Sequence, residues 1–246
     1  MFNYKLVIAY DGAKYKGWQR LGDTDKTVQG KIEAALSRLI EKEIEVVGSS
    51  RTDAGVHALG QVASFHHDEV LDCEELRTDL NKYLPDDILV KELSEASEKF
   101  HCRYNASGKT YVYQIWNDDV VDPFKRDYYA HVPESMNLNR MRKAAEMFIG
   151  EHDFTTFTTA KAKKKSLVRK VSSISIEQAG KQVFIRISGP GFLHNQVRRM
   201  VGVLIEIAIG KREPNVVLEL IRAKDRSKCG VTAPPHGLFL EEVKFN

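Results

Sequence analysis

Hydrophobic and polar positions in the first hundred residues alternate in a way that predicts six secondary-structure elements. Residues 4–10 place every second side chain on one apolar face, which is typical of a half-buried strand. Apolar residues then recur every three or four positions after Thr27, whose hydroxyl is suited to cap a helix. Further strands are expected at 44–47, 61–65 and 88–93, with a further helix opened by Asp72. This β-α-β-β-α-β order is that of the split βαβ, or ferredoxin-like, unit.

The second half of the chain predicts another set of strands and helices. A strand at 109–116 places Tyr111 on the same face as Tyr113. A helix is expected at 138–149, where Gly150 suits the left-handed position that follows a helix. The later elements are expected as strands at 167–176, 182–188 and 238–243, a helix at 193–209, and a helix with Pro214 in its first turn.

Together the two sets predict an α+β fold of two ferredoxin-like (RRM-like) halves. Their mixed or antiparallel sheets are expected to pack around a central active-site cleft. The expected halves are residues 1–105 and residues 106–246. Because no low-complexity linker separates them, we expect one rigid body rather than two tethered domains.

Composition narrows the class of protein. The 246 residues are 42% hydrophobic and 29% charged, which lies in the globular range, and no apolar run approaches the roughly 18–20 residues that span a bilayer. Residues 1–5 lack the basic head and apolar stretch of a signal peptide. The three cysteines, Cys73, Cys102 and Cys229, are widely spaced and form no Cys-x-x-Cys pair. We therefore expect a cytoplasmic protein with reduced cysteines and no membrane partner.

The net charge of +3 is unevenly distributed along the chain. Residues 158–230 contain sixteen Lys and Arg against five Asp and Glu, an excess of +11, which leaves −8 for the rest. Such asymmetry is typical of a surface that binds a polyanion such as nucleic acid. Solvated faces of helices and loops would give the same count, so charge alone leaves both interpretations open.

Residues 48–58 combine an acid, a base and a hydroxyl between two glycines at the exit of a predicted strand. The loop contains Arg51, Thr52 and Asp53, and loops held by a rigid scaffold often carry reacting groups. An Asx turn, with Asp53 bonded to its own backbone and Arg51 at the surface, would explain the same residues. As an isolated pattern, the loop does not distinguish these interpretations.

Short motifs, however, run along the whole chain. They are Tyr10-Asp11-Gly12, Gly17-Trp18-Gln19, Thr-Val-Gln-Gly at 27–30, Phe-His-x-Arg at 100–103, Lys-x-Tyr at 109–111, Phe-Leu-His at 192–194, Val-Arg at 197–198, Val-Gly at 201–202, Asp-Arg-Ser-Lys at 225–228 and Ala-Pro-Pro-His-Gly-Leu at 233–238. Together with Arg-Thr-Asp-Ala-Gly-Val-His-Ala at 51–58, they resemble the motifs of the tRNA pseudouridine synthase A family, in order and with compatible spacings.

The resemblance implies an isomerase that converts uridine to pseudouridine in the anticodon stem-loop of tRNA, at tRNA positions 38, 39 and 40, without a cofactor. It implies that Asp53 is the catalytic carboxylate, either as a nucleophile or as a base that removes a ribose proton. Arg198 would be its bidentate partner. The ring of Tyr111 would stack on the target uracil, with its hydroxyl moving protons at C5. Arg51 would fill the space that an extruded uridine leaves.

The resemblance also implies a homodimer that holds one tRNA, from anticodon stem to elbow, across both subunits. We expect the lysine run, which consists of Lys161, Lys163, Lys164 and Lys165, to line the tRNA path. Ser50 stands where many members of the family carry Gly, and Cys229 and Val231 replace the more usual Ala and Pro. These departures leave open whether the chain is the housekeeping enzyme or a paralogue with a shifted RNA target.

Two other classes of protein make different demands on the sequence. A non-catalytic RNA-binding module would need exposed aromatic residues in the RNP pattern, and no such segment is present. A metal-dependent nuclease or phosphatase would need clustered carboxylates, whereas the acidic pairs at 86–87 and 118–119 are typical of turns. His57, His66 and His67 have no acidic or Cys partner at ligand spacing, so we expect no metal site.

Overall fold

The computed structural model describes residues 1–159 and 166–245, and it divides into two compact units. The first unit consists of Met1–Ser107 and the last strand from Phe239 onward, and the second of Gly108–Leu238. The expected halves were 1–105 and 106–246. The division differs from them because the last strand belongs to the first unit, where it pairs with another strand. The lysine run at 161–165 lies outside the described residues.

The helices and strands follow one another in a mixed α+β order. In chain order they are β1 (Phe2–Tyr10), α1 (Val28–Ile40), β2 (Val47–Gly48), β3 (His57–His67), α2 (Cys73–Tyr83), β4 (Ile88–Ala96), β5 (Ala106–Asn117), β6 (Ala130–Val132), α3 (Leu138–Glu146), β7 (Gly150–Asp153), β8 (Val168–Val171), β9 (Ser173–Ala179), β10 (Gln182–Gly189), α4 (Gln196–Ala208), α5 (Val216–Ala223) and β11 (Leu238–Phe245). In the part of the chain that the structure covers, none of the helices is long and apolar enough to cross a membrane.

The first unit is a mainly antiparallel sheet with two helices. β1 pairs antiparallel with both β3 and β4, β2 pairs antiparallel with β3, and β11 pairs parallel with β3. The predicted β-α-β-β-α-β order is therefore confirmed. Both helix starts have the expected caps: Thr27 accepts from the Gly30 amide, and Asp72 accepts from the Glu74 and Glu75 amides. These side chains satisfy amide groups that have no partner within the helix.

The core of the first unit forms where the helices cover the sheet. Alternate residues of β1, among them Leu6 and Ile8, are completely buried, as the period-two pattern predicts. The helix α1 buries Ile32 and Leu36, which lie four residues apart on one face. The central strand β1 is thus held from both edges and from one face, so its end at Tyr10 is a fixed point of the scaffold.

The second unit contains a sheet in which β10 lies between β5 and β9, antiparallel to both. β6 adds to β5 in parallel, and β7 and β8 form a separate antiparallel pair. The helix α4 completely buries Met200, Val201 and Leu204. A mixed α+β class is therefore observed for this unit, as expected.

Several predicted boundaries of helices and strands are wrong. The helix α3 ends at Glu146, and Gly150, with φ of +113°, instead begins β7. The predicted strand at 167–176 is two strands, because it is interrupted at Ser172, whose amide bonds to Ser188 O at 2.7 Å. Likewise, β2 is only two residues long and α4 begins three residues later than expected, after Asn195 in the left-handed conformation.

Candidate active site

The loop with the candidate carboxylate connects β2 to β3. Its first residues are tied to β3: the Ser49 amide donates to Val62 O at 2.8 Å. The completely buried amide side chain of Gln61 accepts from the Ser50 amide at 3.2 Å and donates to Ser50 O at 2.8 Å. From the other side, the Arg103 guanidinium donates to Gly48 O through Nε and Nη2, at 3.2 and 2.9 Å. The loop therefore leaves the sheet in a fixed direction.

Asp53 lies at the turn of this loop and is half-buried. Its carbonyl accepts from the Val56 amide at 3.1 Å, and Gly55 adopts a φ of +75°, which a left-handed turn position requires. Thr52 is buried on one side of Asp53, whereas Arg51 is exposed to solvent. An exposed guanidinium two residues from the carboxylate is in a suitable place to contact an approaching polyanion.

Residues 11–18, which follow β1, form the wall against which this loop packs. The Trp18 amide donates to Thr52 O at 3.1 Å, and the Gly55 amide donates to Tyr15 O at 3.3 Å. A Cβ on Gly12 would lie only 2.0 Å from Val56 O, and one on Gly17 only 2.6 Å from Thr52 O. Neither glycine can carry a side chain without moving backbone, so the two segments touch along their main chains.

The wall is itself attached to the segment before β4. The Asp11 amide donates to Asp87 O at 2.9 Å, and the Tyr15 hydroxyl donates to the Asp87 carboxylate. Burial, together with this hydrogen bond to a carboxylate, raises the pKa of Tyr15 above its ordinary value. Tyr15 therefore stays neutral and remains a donor throughout the physiological pH range.

Tyr111 lies in the second unit, on β5 opposite Ile187 of β10. Its side chain is 7% exposed, and its ring meets that of Phe192 edge to face at a centroid distance of 5.5 Å. Phe192 belongs to the loop that connects β10 to α4. The plane of the Tyr111 ring is thus held by the strand on one side and by this loop on the other.

Arg198 lies in the first turn of α4 and is half-buried. Its Nε donates to Ala233 O at 2.8 Å and its Nη1 donates to Asn195 Oδ1 at 3.0 Å, while Arg198 O accepts from the Ala233 amide at 3.1 Å. The positive charge is close enough to Tyr113 to oppose the rise in the pKa of Tyr113 that burial causes. The guanidinium is therefore fixed in orientation within its unit.

The structure places the predicted site residues on two sets of elements. Arg51 and Asp53 share the β2–β3 loop of the first unit, and Tyr111 and Arg198 both flank the β10–α4 loop of the second unit. The lysine run lies outside the described residues. Sequence reasoning did not identify the wall at 11–18 as a support of the Asp53 loop, although its motifs were visible, and nothing in the sequence singled out Gln61.

Acidic, histidine and cysteine side chains are the usual ligands of protein-bound metal ions. Among residues 1–159 and 166–245, no three such side chains are arranged to hold a metal ion. His57 is buried at the start of β3, where its Nδ1 accepts from the Gly12 amide at 3.0 Å and its ring stacks on Phe239. The side chain thus connects the wall to β11.

Comparisons with known proteins show which family the sequence of this chain resembles. A family model described as tRNA pseudouridine synthase matches residues 6–105 and 144–246. A protein of Bacillus cereus (strain ZK / E33L) named tRNA pseudouridine synthase A 2 is 50% identical over all of both chains. One of Bacillus sp. (strain KSM-64), named tRNA pseudouridine synthase A, is also 50% identical over all of both chains. A tRNA pseudouridine synthase A 2 of Clostridium tetani (strain Massachusetts / E88) is 40% identical over 99% of each chain. The chain therefore belongs to the tRNA pseudouridine synthase family.

Proposed function

We propose that this chain isomerises uridine to pseudouridine in the anticodon stem-loop of tRNA, at tRNA positions 38, 39 and 40. Family membership makes it a tRNA-modifying isomerase. The observation that carries the proposal is the Arg-Thr-Asp loop at 51–53, which is held at a strand exit by main-chain contacts from both sides. Such a loop presents one carboxylate in a fixed position, which is what this reaction requires.

The reaction breaks the N1–C1′ bond of uridine, rotates the uracil, and forms a bond between C5 and C1′. The proton on C5 is then lost to a base, and N1 gains a proton, so atoms balance without an oxidant or a donor. Asp53 supplies the carboxylate, as a nucleophile at the sugar or as a base that removes a ribose proton. Either route requires that the carboxylate be ionised and aimed at the ribose.

Two residues of the second unit complete the proposed site. Arg198 is the bidentate partner of the Asp53 carboxylate. The two hydrogen bonds that orient its guanidinium support this role, because a pre-oriented cation loses little entropy on pairing. Tyr111 stacks on the uracil, and its hydroxyl moves the C5 proton. The edge-on contact with Phe192 supports this role by fixing the ring plane.

Binding of the tRNA involves the remaining predicted residues. Arg51, exposed beside Asp53, occupies the space that the target uridine leaves on extrusion. Lys161, Lys163, Lys164 and Lys165 line the tRNA path, and the chain acts in the cytoplasm as a two-fold homodimer that holds one tRNA across both subunits. A fully active monomer in dilute solution, measured by sedimentation at assay concentration, would contradict the dimer.

Release of tritium from tRNA labelled at C5 of uridine tests the chemistry directly, since the C5 hydrogen leaves in the reaction. Asp53→Asn should release no tritium above background while tRNA binding is retained, because the amide is isosteric but neither ionised nor nucleophilic. Asp25→Asn is the matched control, since Asp25 is 79% exposed and pairs with Lys31 at the surface of the same unit. Turnover by Asp53→Asn would overturn the assignment.

Substrate choice is tested with full-length tRNAs whose anticodon stem-loop carries uridine at a single one of the proposed positions. Turnover at tRNA positions 38, 39 and 40 is expected, and uridines in other arms of the tRNA should stay unmodified. Efficient turnover only outside the anticodon stem-loop would show a paralogue with a shifted target. Binding without any tritium release would show a non-catalytic RNA-binding protein.

A further inference from the structure

We propose that Tyr10 is a positioning residue for the reaction, which aims the Asp53 carboxylate by holding the side chain of Thr52. The Tyr10 hydroxyl lies 2.7 Å from Thr52 Oγ1, and either group can be the donor. Both side chains are buried, at 5% and 7% exposure. The proposal rests on the proposed function, in which Asp53, the next residue along the chain, is the catalytic carboxylate.

Thr52 is the residue whose contacts fix the orientation of the loop next to Asp53. Its carbonyl accepts from the Trp18 amide at 3.1 Å, and its hydroxyl bonds to Tyr10. The main chain of Thr52 is therefore held by Trp18, and its side chain is held by Tyr10. These two contacts fix the rotation of the backbone about Thr52, and that rotation decides where the Asp53 side chain starts.

Tyr10 is a rigid support for this purpose. It is the last residue of β1, where it pairs with Ala58 of β3 and with Ile88 of β4. Its ring lies against that of Trp18, with centroids 6.0 Å apart. The hydroxyl is therefore at a position set by the sheet, while residues 51–56 of the loop have no strand or helix of their own to hold them.

The hydrogen bond between Tyr10 and Thr52 affects the position of Asp53 more than it affects the stability of the fold. One neutral hydrogen bond contributes only modestly to folding, because its two groups bond to water in the unfolded chain. A displacement of about 1 Å in a reacting group, by contrast, can lower a rate about 100-fold. The same contact thus matters far more to the geometry of the carboxylate than to the fold.

The test compares variants that remove one hydroxyl from each side of the contact. Tyr10→Phe and Thr52→Val each remove the hydrogen bond with nearly unchanged volume, and Thr52→Ser retains the hydroxyl. Tyr4→Phe is the matched control, since Tyr4 is a completely buried tyrosine of the same strand. Its hydroxyl bonds to Glu69 O and the Leu71 amide, away from the loop. Single-turnover tritium release at saturating tRNA, tRNA affinity and melting temperature are measured for these four variants and for the double variant of Tyr10→Phe with Thr52→Val.

We expect Tyr10→Phe and Thr52→Val each to lower the single-turnover rate by roughly 10- to 100-fold, with tRNA affinity within about twofold of the original. The double variant should be no slower than the slower single variant, because both changes break one contact. Thr52→Ser should recover most of the rate. Tyr4→Phe should match Tyr10→Phe in melting temperature and keep the full rate.

The proposal is overturned if Tyr10→Phe reacts at the full rate, if Tyr4→Phe is equally slow, or if the two losses multiply in the double variant. A loss confined to tRNA affinity would also overturn it. Asp53→Asn in the same assay separates this proposal from the proposed function. If Asp53→Asn is inactive and Tyr10→Phe is fully active, only the positioning role fails. If Asp53→Asn turns over, the role of Asp53 itself is wrong.

Discussion

Replacement of Gly17 by alanine is the change that most directly tests how the wall at 11–18 supports the Asp53 loop. Gly17 has a φ of +103°, which L residues rarely adopt, and its missing Cβ faces the backbone of the loop. An added Cβ would lie 2.6 Å from Thr52 O and 3.2 Å from Asp53 C. Flexible side chains cannot relieve this contact, because all the nearest atoms are backbone.

Two costs add at this position. A residue with a Cβ at positive φ is disfavoured by roughly 1–2 kcal/mol, and overpacking of a close contact costs about 1–3 kcal/mol. Gly17→Ala should therefore lower the free energy of unfolding by about 2–5 kcal/mol. In a chain of this length each kcal/mol lowers the melting temperature by about 2–4 °C. Any relief of the overlap must move Thr52 or Asp53, so the single-turnover rate should fall as well.

Two other glycines separate these costs. Gly180 has a φ of +60° with nothing within 4 Å of an added Cβ, so Gly180→Ala carries the backbone cost alone. Gly22 has open space and no positive φ, so Gly22→Ala should be within about 0.5 kcal/mol of the original. Urea unfolding and single-turnover tritium release are measured for all three variants. Only in Gly17→Ala should the rate per folded molecule be lower than that of the original protein.

The reasoning is refuted if Gly17→Ala is as stable and as fast as Gly22→Ala, since the two segments would then not be in backbone contact. It is also refuted if Gly180→Ala shows the same loss of rate at equal stability. In that case the loss would come from global destabilisation. A Gly17→Ala variant that is less stable but reacts at the full rate per folded molecule would show that the wall supports the fold and not the position of Asp53.

Three further outcomes are expected. Turnover should persist in EDTA once tRNA folding is controlled for, and a divalent ion required for the chemistry itself would contradict the cofactor-free mechanism. Neutralising Lys161, Lys163, Lys164 and Lys165 together should flatten the slope of log affinity against log salt concentration by about 0.9 for each lysine that contacts a phosphate, while the rate on saturating tRNA stays the same. An unchanged slope would show that these lysines do not contact the tRNA. Burial raises the pKa of Cys229 to about 11, so iodoacetamide at pH 8 should label the partly exposed Cys73 long before Cys229. Equal labelling of the two cysteines in the folded protein, measured by mass spectrometry, would contradict the burial of the Cys229 thiol.

Elements with a strong local signal could be predicted from the sequence. The caps at Thr27 and Asp72 and the period of α1 depend only on neighbours within one helical turn, so these helices were located correctly. Predictions failed where the deciding contact is distant in sequence. The interruption at Ser172 depends on an amide bond to Ser188, and the position of the last strand depends on parallel pairing with β3.

The candidate site shows the same division. Asp53 was identified because its loop carries a family motif, but the supports of that loop have no periodic signal. Gln61 holds Ser50 by two hydrogen bonds across 11 residues, and Arg103 holds Gly48 across 55. Such contacts depend on which strands become neighbours. Sequence pattern alone therefore points to the proposed reacting residue more readily than to the residues that hold its loop.

The motifs that carry no chemistry of their own can now be explained by what they touch. In the first unit, Gly12 and Gly17 allow the wall to approach the backbone of the Asp53 loop. In the second unit, the motif at 233–238 is held at its first two residues: Ala233 exchanges hydrogen bonds with Arg198, and Pro234 O accepts from the Tyr113 hydroxyl at 2.9 Å. In both units a short connecting segment fixes a residue proposed to act in the reaction. Substitutions in these motifs should consequently act first on the rate and only second on tRNA affinity, because they move the residues proposed to act in the reaction and leave the lysine run unchanged.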